Sequence, residues 1–337
     1  MITISACLIV KNEEKILARC LDCLVGVADE IVIIDTGSTD NTKEIAARYT
    51  DKVYDFAWID DFAAARNYSF SKATMDYIYV ADADEVIDDE NQLKIRNLKQ
   101  AILPEIDIVQ MKYANQLQYN TTYNYDMEYR PKLYKRLRNF TWVDPIHESV
   151  ALEPIIYDSD ITILHLPDSN HASRDFSTFQ KAINRGEKLS KKLNAMYARE
   201  LFIAGKPEDF IDAEAYFEQL AEEILSYDEL KIIQCVLTKC GRLKNDIQQF
   251  FKYALKNVAG EKASSEVCYE VGEYFFELND YMEASIWYYN AAYETESELN
   301  IHYCGDYPLR KLSECYRKLG NDEQADIFQK LAEEWRI

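Results

Sequence analysis

The hydrophobic pattern of this 337-residue sequence changes period near its middle, and that change constrains the fold most. In the first half, short apolar runs such as residues 30–34 and 77–80 alternate with segments of helical pattern. Apolar strands that alternate with helices indicate a mostly parallel sheet with helices on both faces. From about residue 175 the pattern is helical throughout, so we expect two domains, at residues 1–172 and 173–337.

A repeat with the spacing of tetratricopeptide hairpins runs through the helical half. In its clearest copy, Gly272 and Ala284 occupy the two small positions and Tyr288 the aromatic position. Small residues there let the two helices of a hairpin approach each other closely. Weaker copies run over residues 197–220 and 309–332, whereas residues 225–260 are helical but out of register. We therefore expect an all-α, tetratricopeptide-like domain, with an ordinary helical bundle as the alternative.

Charge and hydrophobicity exclude several classes of partner. The chain has 38 Lys and Arg against 59 Asp and Glu, which gives a net charge of −21 at pH 7. A field of this sign repels phosphate backbones and anionic lipid surfaces, so we expect no nucleic-acid partner. We expect no integral membrane segment either, because no run approaches the roughly 20 apolar residues that cross a bilayer. The first ten residues look like a buried strand and not a signal peptide. The expected lack of a signal peptide, together with eight cysteines in mostly apolar contexts, favours a cytoplasmic protein with reduced thiols.

Two aspartates follow the predicted strand at residues 77–80. Ligands of parallel sheets bind beyond the carboxyl ends of the strands, so residues that follow strands are candidates for a site. An extended segment would point Asp82 and Asp84 to the same side. Two close carboxylates repel each other unless a cation or a proton intervenes, and hard divalent cations that hold phosphates are bound in this way. The alternative is an ordinary acidic loop.

Two further polar residues belong to the same predicted edge of the sheet. Asp35 closes the strand at residues 30–34, where a carboxylate can accept from a base N–H or a ribose hydroxyl. Arg66 lies near the start of a predicted helix and is a permanently charged cation in an acidic protein. Its guanidinium could bind a diphosphate or a base carbonyl. The alternative for Arg66 is a surface ion pair with Asp60 or Asp61.

Four blocks in residues 3–85 resemble the nucleotide-sugar half of family 2 glycosyltransferases, which have a GT-A fold. The blocks are residues 7–14 (CLIVKNEE), 29–40 (DEIVIIDTGSTD), 58–67 (WIDDFAAARN) and 76–85 (DYIYVADADE). Their order and spacing are more specific than any single block. The sequence is most similar to the bacterial sub-group with a tetratricopeptide tail, which includes the sublancin-type peptide glycosyltransferases.

The resemblance implies a role for each matched polar residue. Asp82 would bind the ribose and stand near the metal, and Asp84 would coordinate Mn²⁺ or Mg²⁺ on the diphosphate. The other residues expected to contact the nucleotide sugar, a UDP-sugar by preference, are Asn12, Asp35, Asp61 and Arg66.

The residues expected to act on the acceptor come later in the sequence. In the resembling sub-group an Arg-Leu-Tyr-Arg run leads to a His-Glu pair, and here residues 130–136 precede His147 and Glu148. An inverting transferase needs a general base on the acceptor, and the candidates are Glu148, His147 and Asp144. His165 ends another predicted strand, where a neutral imidazole could complete the metal site.

These features predict an inverting, metal-dependent glycosyltransferase that moves a sugar from a nucleotide sugar to a Ser, Thr or Cys of a peptide or protein. Arrays of helical hairpins form concave grooves that hold extended peptides or pack subunits together. Formation of a homo-oligomer through the tail is therefore a further hypothesis. A transferase of surface polysaccharide or lipid-linked glycan synthesis would share every nucleotide-binding residue and is the first alternative. The second is an inactive tetratricopeptide scaffold. A nucleotidyltransferase would need a glycine-rich phosphate loop, and residues 10–14 contain no glycine.

Overall fold

A computed structural model describes residues 1–114, 127–138, 142–143, 149–150, 154–166, 172–223, 225–260 and 262–336. The chain divides into two compact units, Met1–His171 and Ala172–Ile337. Within the described residues, no helix combines the length and the apolar character that crossing a bilayer requires.

The first unit is built on a mixed β-sheet. Its strands are β1 Ile4–Val10, β2 Glu30–Asp35, β3 Val53–Asp55, β4 Tyr77–Ala81, β5 Glu85–Val86, β6 Ile108–Ala114, β7 Glu128–Lys135 and, after two short strands, β10 Ile156–His165. The eight strands lie in the order β3-β2-β1-β4-β7-β6-β10-β5. The two short strands, β8 Trp142–Val143 and β9 Ser149–Val150, pair only with each other in the described chain.

The pairing directions divide this sheet into two parts. Strands β3, β2, β1 and β4 run parallel, as the apolar runs of the sequence predict. β7 is antiparallel to both of its neighbours, β4 and β6. At the far side, β10 is parallel to β6, and the short β5 is antiparallel to β10. The parallel part therefore gathers the carboxyl ends of β1, β2 and β4 at one edge.

Helices cover both faces of the sheet, which explains the nearly continuous apolar strands. The helices of this unit are α1 Leu17–Val25, α2 Thr42–Ala46, α3 Phe62–Lys72 and α4 Asp89–Ala101. On β1, Leu8 packs in one core cluster with Leu21 of α1. The adjacent Cys7 belongs to a different cluster, against which Phe70 of α3 packs. Successive side chains of β1 thus enter opposite cores, as strand geometry requires.

The described residues of the second unit form nine α-helices that follow one another along the chain. They are α5 Ala172–Asn184, α6 Lys191–Ala204, α7 Pro207–Ala221, α8 Tyr227–Leu243, α9 Ile247–Val258, α10 Ser265–Glu277, α11 Tyr281–Tyr289, α12 Asp306–Lys318 and α13 Asp322–Glu334. In the α10–α11 hairpin, a Cβ atom on Gly272 would lie 2.7 Å from the Tyr288 ring. This close approach is the reason for the small residue in the predicted repeat, and the tetratricopeptide-like fold of the tail is confirmed.

Candidate active site

The loops after β1 and β2 are joined by side-chain hydrogen bonds to backbone groups. Asn12 has a positive φ of 57°, a conformation that asparagine tolerates better than most residues. Its backbone N–H donates to Ser38 Oγ at 2.9 Å, and its Oδ1 accepts from the Thr39 N–H at 2.8 Å. The predicted residue Asn12 therefore shapes the loop that follows Asp35.

Asp35 uses one carboxylate oxygen for the fold and leaves the other without a partner. Its Oδ1 accepts from the backbone N–H groups of Gly37 and Ser38, each at 3.0 Å. Its Oδ2 is buried and accepts no hydrogen bond from any described residue. The carboxylate is thus fixed in orientation with one oxygen still able to accept.

The segment that carries Asp82 and Asp84 is a tight turn, which corrects the extended conformation expected from the sequence. The backbone N–H of Glu85 donates to the Asp82 carbonyl at 3.1 Å and closes the turn. The Cys20 thiol of α1 donates to the same carbonyl at 3.3 Å. Because the chain turns here, the two aspartates contact different partners.

Asp82 lies between two cations that come from different elements. Nη2 of Arg66, in α3, is 3.5 Å from Oδ1, and Nζ of Lys132, in β7, is 3.9 Å from Oδ2. Burial alone would raise the pKa of Asp82, but the charges of Lys132, Arg66 and Arg130 outweigh it and hold that pKa at about 2. Asp82 is therefore ionised at neutral pH. The Arg66 side chain is only 6% exposed, which disagrees with the alternative of a surface ion pair with Asp60 or Asp61.

Asp84 contacts a histidine that is distant in sequence. Its Oδ2 lies 3.0 Å from Nε2 of His165. The two meet because β5 pairs with β10, with His165 opposite Glu85. The other oxygen, Oδ1, is buried and has no hydrogen-bond partner among the described residues.

Lys132 is a site residue that the sequence placed only in a basic cluster, which could meet a diphosphate or an acidic acceptor. Its side chain is 5% exposed, and its Nζ lies 2.5 Å from Oε1 of Glu85. Burial raises the pKa of Glu85 to about 8, although the charge of Lys132 opposes this rise. The signal in the sequence was the cluster of Lys132 with Lys135, Arg136 and Arg138, whose alternative was a solvated face.

Only part of a metal site is supplied by the described residues. Among them, no group of three or more His, Cys, Asp or Glu side chains could hold a metal ion by itself. The bare Oδ1 of Asp84 is nevertheless a hard oxygen donor, the kind of atom that Mg²⁺ and Mn²⁺ prefer. Such cations commonly take one or two carboxylates and complete their coordination with substrate phosphates and water. The residues present fit a cation of this kind.

Other predicted site residues have a local role or lie outside the described chain. Asp61 is the N-cap of α3, where its Oδ1 accepts from the Ala64 N–H at 2.9 Å. Asp144, His147 and Glu148 lie outside the described residues. The choice of general base among these three stays a prediction.

Comparison with known proteins finds similarity to a known family within the first unit. Residues 5–151 match the family model described as glycosyl transferase family 2. The SPbeta prophage-derived glycosyltransferase SunS of Bacillus subtilis is 28% identical over 233 residues, which are 62% of this chain and 52% of that protein. A TPR repeat-containing protein of Synechococcus elongatus is 45% identical over 85 residues, 25% of this chain and 21% of that protein. The matches thus span about half or less of these relatives.

Solved structures give a more distant likeness. Glucosyl-3-phosphoglycerate synthase from Mycobacterium tuberculosis, in a complex with Mn²⁺, uridine diphosphate and glucosyl-3-phosphoglycerate, matches with a TM-score of 0.39 and 13% identity. The match covers 56% of this chain and 82% of that one.

Proposed function

Because residues 5–151 match the family model described as glycosyl transferase family 2, we propose that this chain is an inverting, metal-dependent glycosyltransferase. Its donor is a nucleotide sugar, by preference a UDP-sugar, and its acceptor is a Ser, Thr or Cys side chain of a peptide or protein. The tetratricopeptide-like tail supports a polypeptide acceptor, since arrays of such hairpins hold extended peptides.

The observation that carries this proposal is the bare, buried Oδ1 of Asp84 in the turn after β4. A buried carboxylate oxygen without a partner costs free energy, so a site that keeps one is suited to a ligand that satisfies it. The bare Oδ2 of Asp35, at the end of β2 in the same parallel part of the sheet, supports the same conclusion. A cation at Asp84 and an N–H or O–H donor at Asp35 are the groups that a nucleotide sugar and its metal bring.

The charged residues of the site divide the work of binding the donor. Arg66 and Lys132 keep Asp82 ionised, so that it accepts a hydrogen bond from the ribose. His165 holds the carboxylate of Asp84 in one orientation through its contact with Oδ2. A divalent cation at Asp84 would supply positive charge against the negative charge that develops on the leaving diphosphate.

Transfer itself is one in-line displacement. The acceptor oxygen or sulfur forms a bond to the anomeric carbon of the sugar while the bond from that carbon to the diphosphate oxygen breaks. The electron pair leaves with the nucleoside diphosphate, and the acceptor proton passes to the general base. Glu148, His147 and Asp144 are the candidates for that base.

Donor turnover tests the proposal directly. The protein is incubated with UDP-, GDP- and dTDP-sugars and Mn²⁺ or Mg²⁺, and the released nucleotide is measured. We expect release from one donor, abolished by chelator and lowered about 100-fold or more in Asp84→Asn. The control Asp51→Asn removes an exposed carboxylate and should leave the rate unchanged. If no nucleotide were bound or released with either metal, the inactive-scaffold alternative would replace this proposal.

The acceptor is tested with the same donor. Peptides with Ser, Thr or Cys and a lipid-linked glycan are offered to the full chain, and mass spectrometry detects the added sugar. We expect the peptides to gain the mass of one sugar with inverted anomeric configuration by NMR. Transfer to the lipid-linked glycan alone would keep the donor site and refute the polypeptide acceptor.

A further inference from the structure

β7 contains a bulge at the point where it passes the proposed donor site. Along its ladder with β6, Val109 pairs with Leu133 but the next residue, Gln110, pairs with Pro131, which leaves Lys132 without an opposite residue. On the other side, the ladder with β4 stops at the pair Tyr79 and Leu133. Bulges of this kind re-aim a side chain, and they are common next to active sites.

Two cations of β7 lie near the same aromatic ring. The guanidinium carbon of Arg130 lies 4.0 Å from the centroid of the Tyr113 ring, and Nζ of Lys132 lies 5.6 Å from it. The Tyr113 ring is buried and lies 5.3 Å from the ring of His165, which contacts Asp84. Arg130 is thereby held next to the residues proposed to bind the metal.

The two cations differ in their exposure and their partners. Lys132 is buried, and its Nζ contacts Glu85 and lies near Asp82. Arg130 has a side chain that is 38% exposed and forms an ion pair with the 29% exposed Glu128 at 2.6 Å. An ion pair between two partly exposed side chains contributes little to stability, so a phosphate can compete with Glu128 for the guanidinium.

We propose that Arg130 is a donor-binding residue that contacts the diphosphate of the nucleotide sugar. The inference rests on the proposed function, since it assigns one more residue to the same donor site. A chain with a net charge of −21 repels a free diphosphate and must hold it with locally placed cations. The planar guanidinium matches two phosphate oxygens at once, and its position over Tyr113 pre-organises it for that contact.

Nucleotide affinities test this role. Isothermal titration compares the nucleoside diphosphate that wild type binds best among UDP, GDP and dTDP with the corresponding monophosphate, in the presence of Mg²⁺. In Arg130→Met, whose stem can still pack on Tyr113, we expect the diphosphate to bind about 10-fold or more weakly. The monophosphate should change less than about 2-fold, because it lacks the phosphate that Arg130 contacts.

A matched control separates this role from a general loss of charge or fold. Arg96→Met removes an exposed arginine whose guanidinium donates to the Gly26 carbonyl, next to the amino-terminal side of β2, and should bind both nucleotides like wild type. Arg130→Lys should recover only part of the diphosphate affinity, since lysine lacks the planar fork. If Arg130→Met bound both nucleotides like wild type, or lost both equally, this role would be refuted while the proposed function stood. If wild type itself bound no nucleoside diphosphate, both would fall.

Discussion

Glu30 should stabilise the first unit through its charge, and its removal is a test with a defined size. It begins β2, at the edge of the sheet opposite to the proposed site, and is 7% exposed. Its carboxylate accepts hydrogen bonds from Ser5 of β1, from Lys52 ahead of β3, and from both the N–H and the hydroxyl of Thr74 ahead of β4. One carboxylate thus joins the starts of four neighbouring parallel strands.

The pKa of Glu30 sets the expected magnitude. Burial would raise this pKa, but the hydrogen bonds from Lys52, Ser5 and Thr74 lower it from 4.5 to about 2. Each tenfold change in an acid constant corresponds to about 1.4 kcal/mol, so the ionised carboxylate contributes about 3 kcal/mol at pH 7. Because the pKa is lower in the folded state, this contribution is complete above pH 4.5 and is lost as the pH falls towards 2. At pH 3 about 1.4 kcal/mol should remain.

Glu30→Gln tests this reasoning because glutamine has the same shape but no charge. Urea unfolding is followed by pulsed hydrogen exchange and mass spectrometry, with peptides from β1 and β2 reporting on the first unit and peptides from α10 and α11 serving as an internal control. We expect Glu30→Gln to lower the free energy of unfolding of the first unit by about 3 kcal/mol at pH 7 and by less than half of that at pH 3.

The exposed Glu44→Gln provides the matched control and should change stability by less than about 0.5 kcal/mol. An equal loss in Glu30→Gln at pH 7 and pH 3 would show that shape, not charge, explains the effect. No loss at pH 7 would refute the reasoning altogether.

Two smaller changes test local features of each unit. Asp61→Ala should destabilise the first unit by about 1 kcal/mol because α3 loses its N-cap, as measured by urea unfolding. Asp61→Ser should restore that stability but bind the nucleotide sugar several-fold more weakly, since a hydroxyl has no second oxygen for the donor; unchanged affinity would limit Asp61 to capping. Gly272→Ala should lower exchange protection of α10 and α11 by about 1–3 kcal/mol, because the new methyl would overlap the Tyr288 ring. Unchanged protection there would contradict the close approach.

The parallel part of the sheet could be predicted from sequence because its signal is local. Residues 31–34 and 77–80 are continuous apolar runs, and their buried positions in β2 and β4 follow from helices on both faces. The antiparallel insertion of β7 between β4 and β6 has no comparable signal, because pairing direction depends on residues far apart in sequence. The sequence predicted helices over residues 225–260 but did not assign α8 and α9 to a repeat hairpin, for another reason. Its close contact uses Gly241 against the Phe250 backbone and does not keep the repeat spacing.

The site divides in the same way. Asp35 and Asp82 each follow a strand that the sequence identifies, so their place at one edge of the sheet is predictable from local pattern alone. The position of Lys132 in the site is not predictable in this way. Its burial and its direction depend on a bulge that only the ladder with β6 defines. The contact of Asp84 with His165 likewise depends on the pairing of β5 with β10, two strands that lie far apart in the sequence of the first unit.

The carboxylates at the two edges of the parallel sheet differ in how completely they are hydrogen-bonded. This difference supports the position of the proposed donor site better than any single contact does. At the amino-terminal edge, Glu30 receives hydrogen bonds from three neighbouring segments, one of them through Lys52, which suits a group whose task is stability. At the other edge, Asp35 and Asp84 are oriented by the fold through one oxygen each, and the second oxygen of each is buried without a partner among the described residues. Unsatisfied buried oxygens destabilise a fold, so they persist where a ligand completes them. We therefore propose that Asp35 and Asp84 are arranged to receive a ligand at this edge, and that this ligand is the nucleotide sugar with its cation.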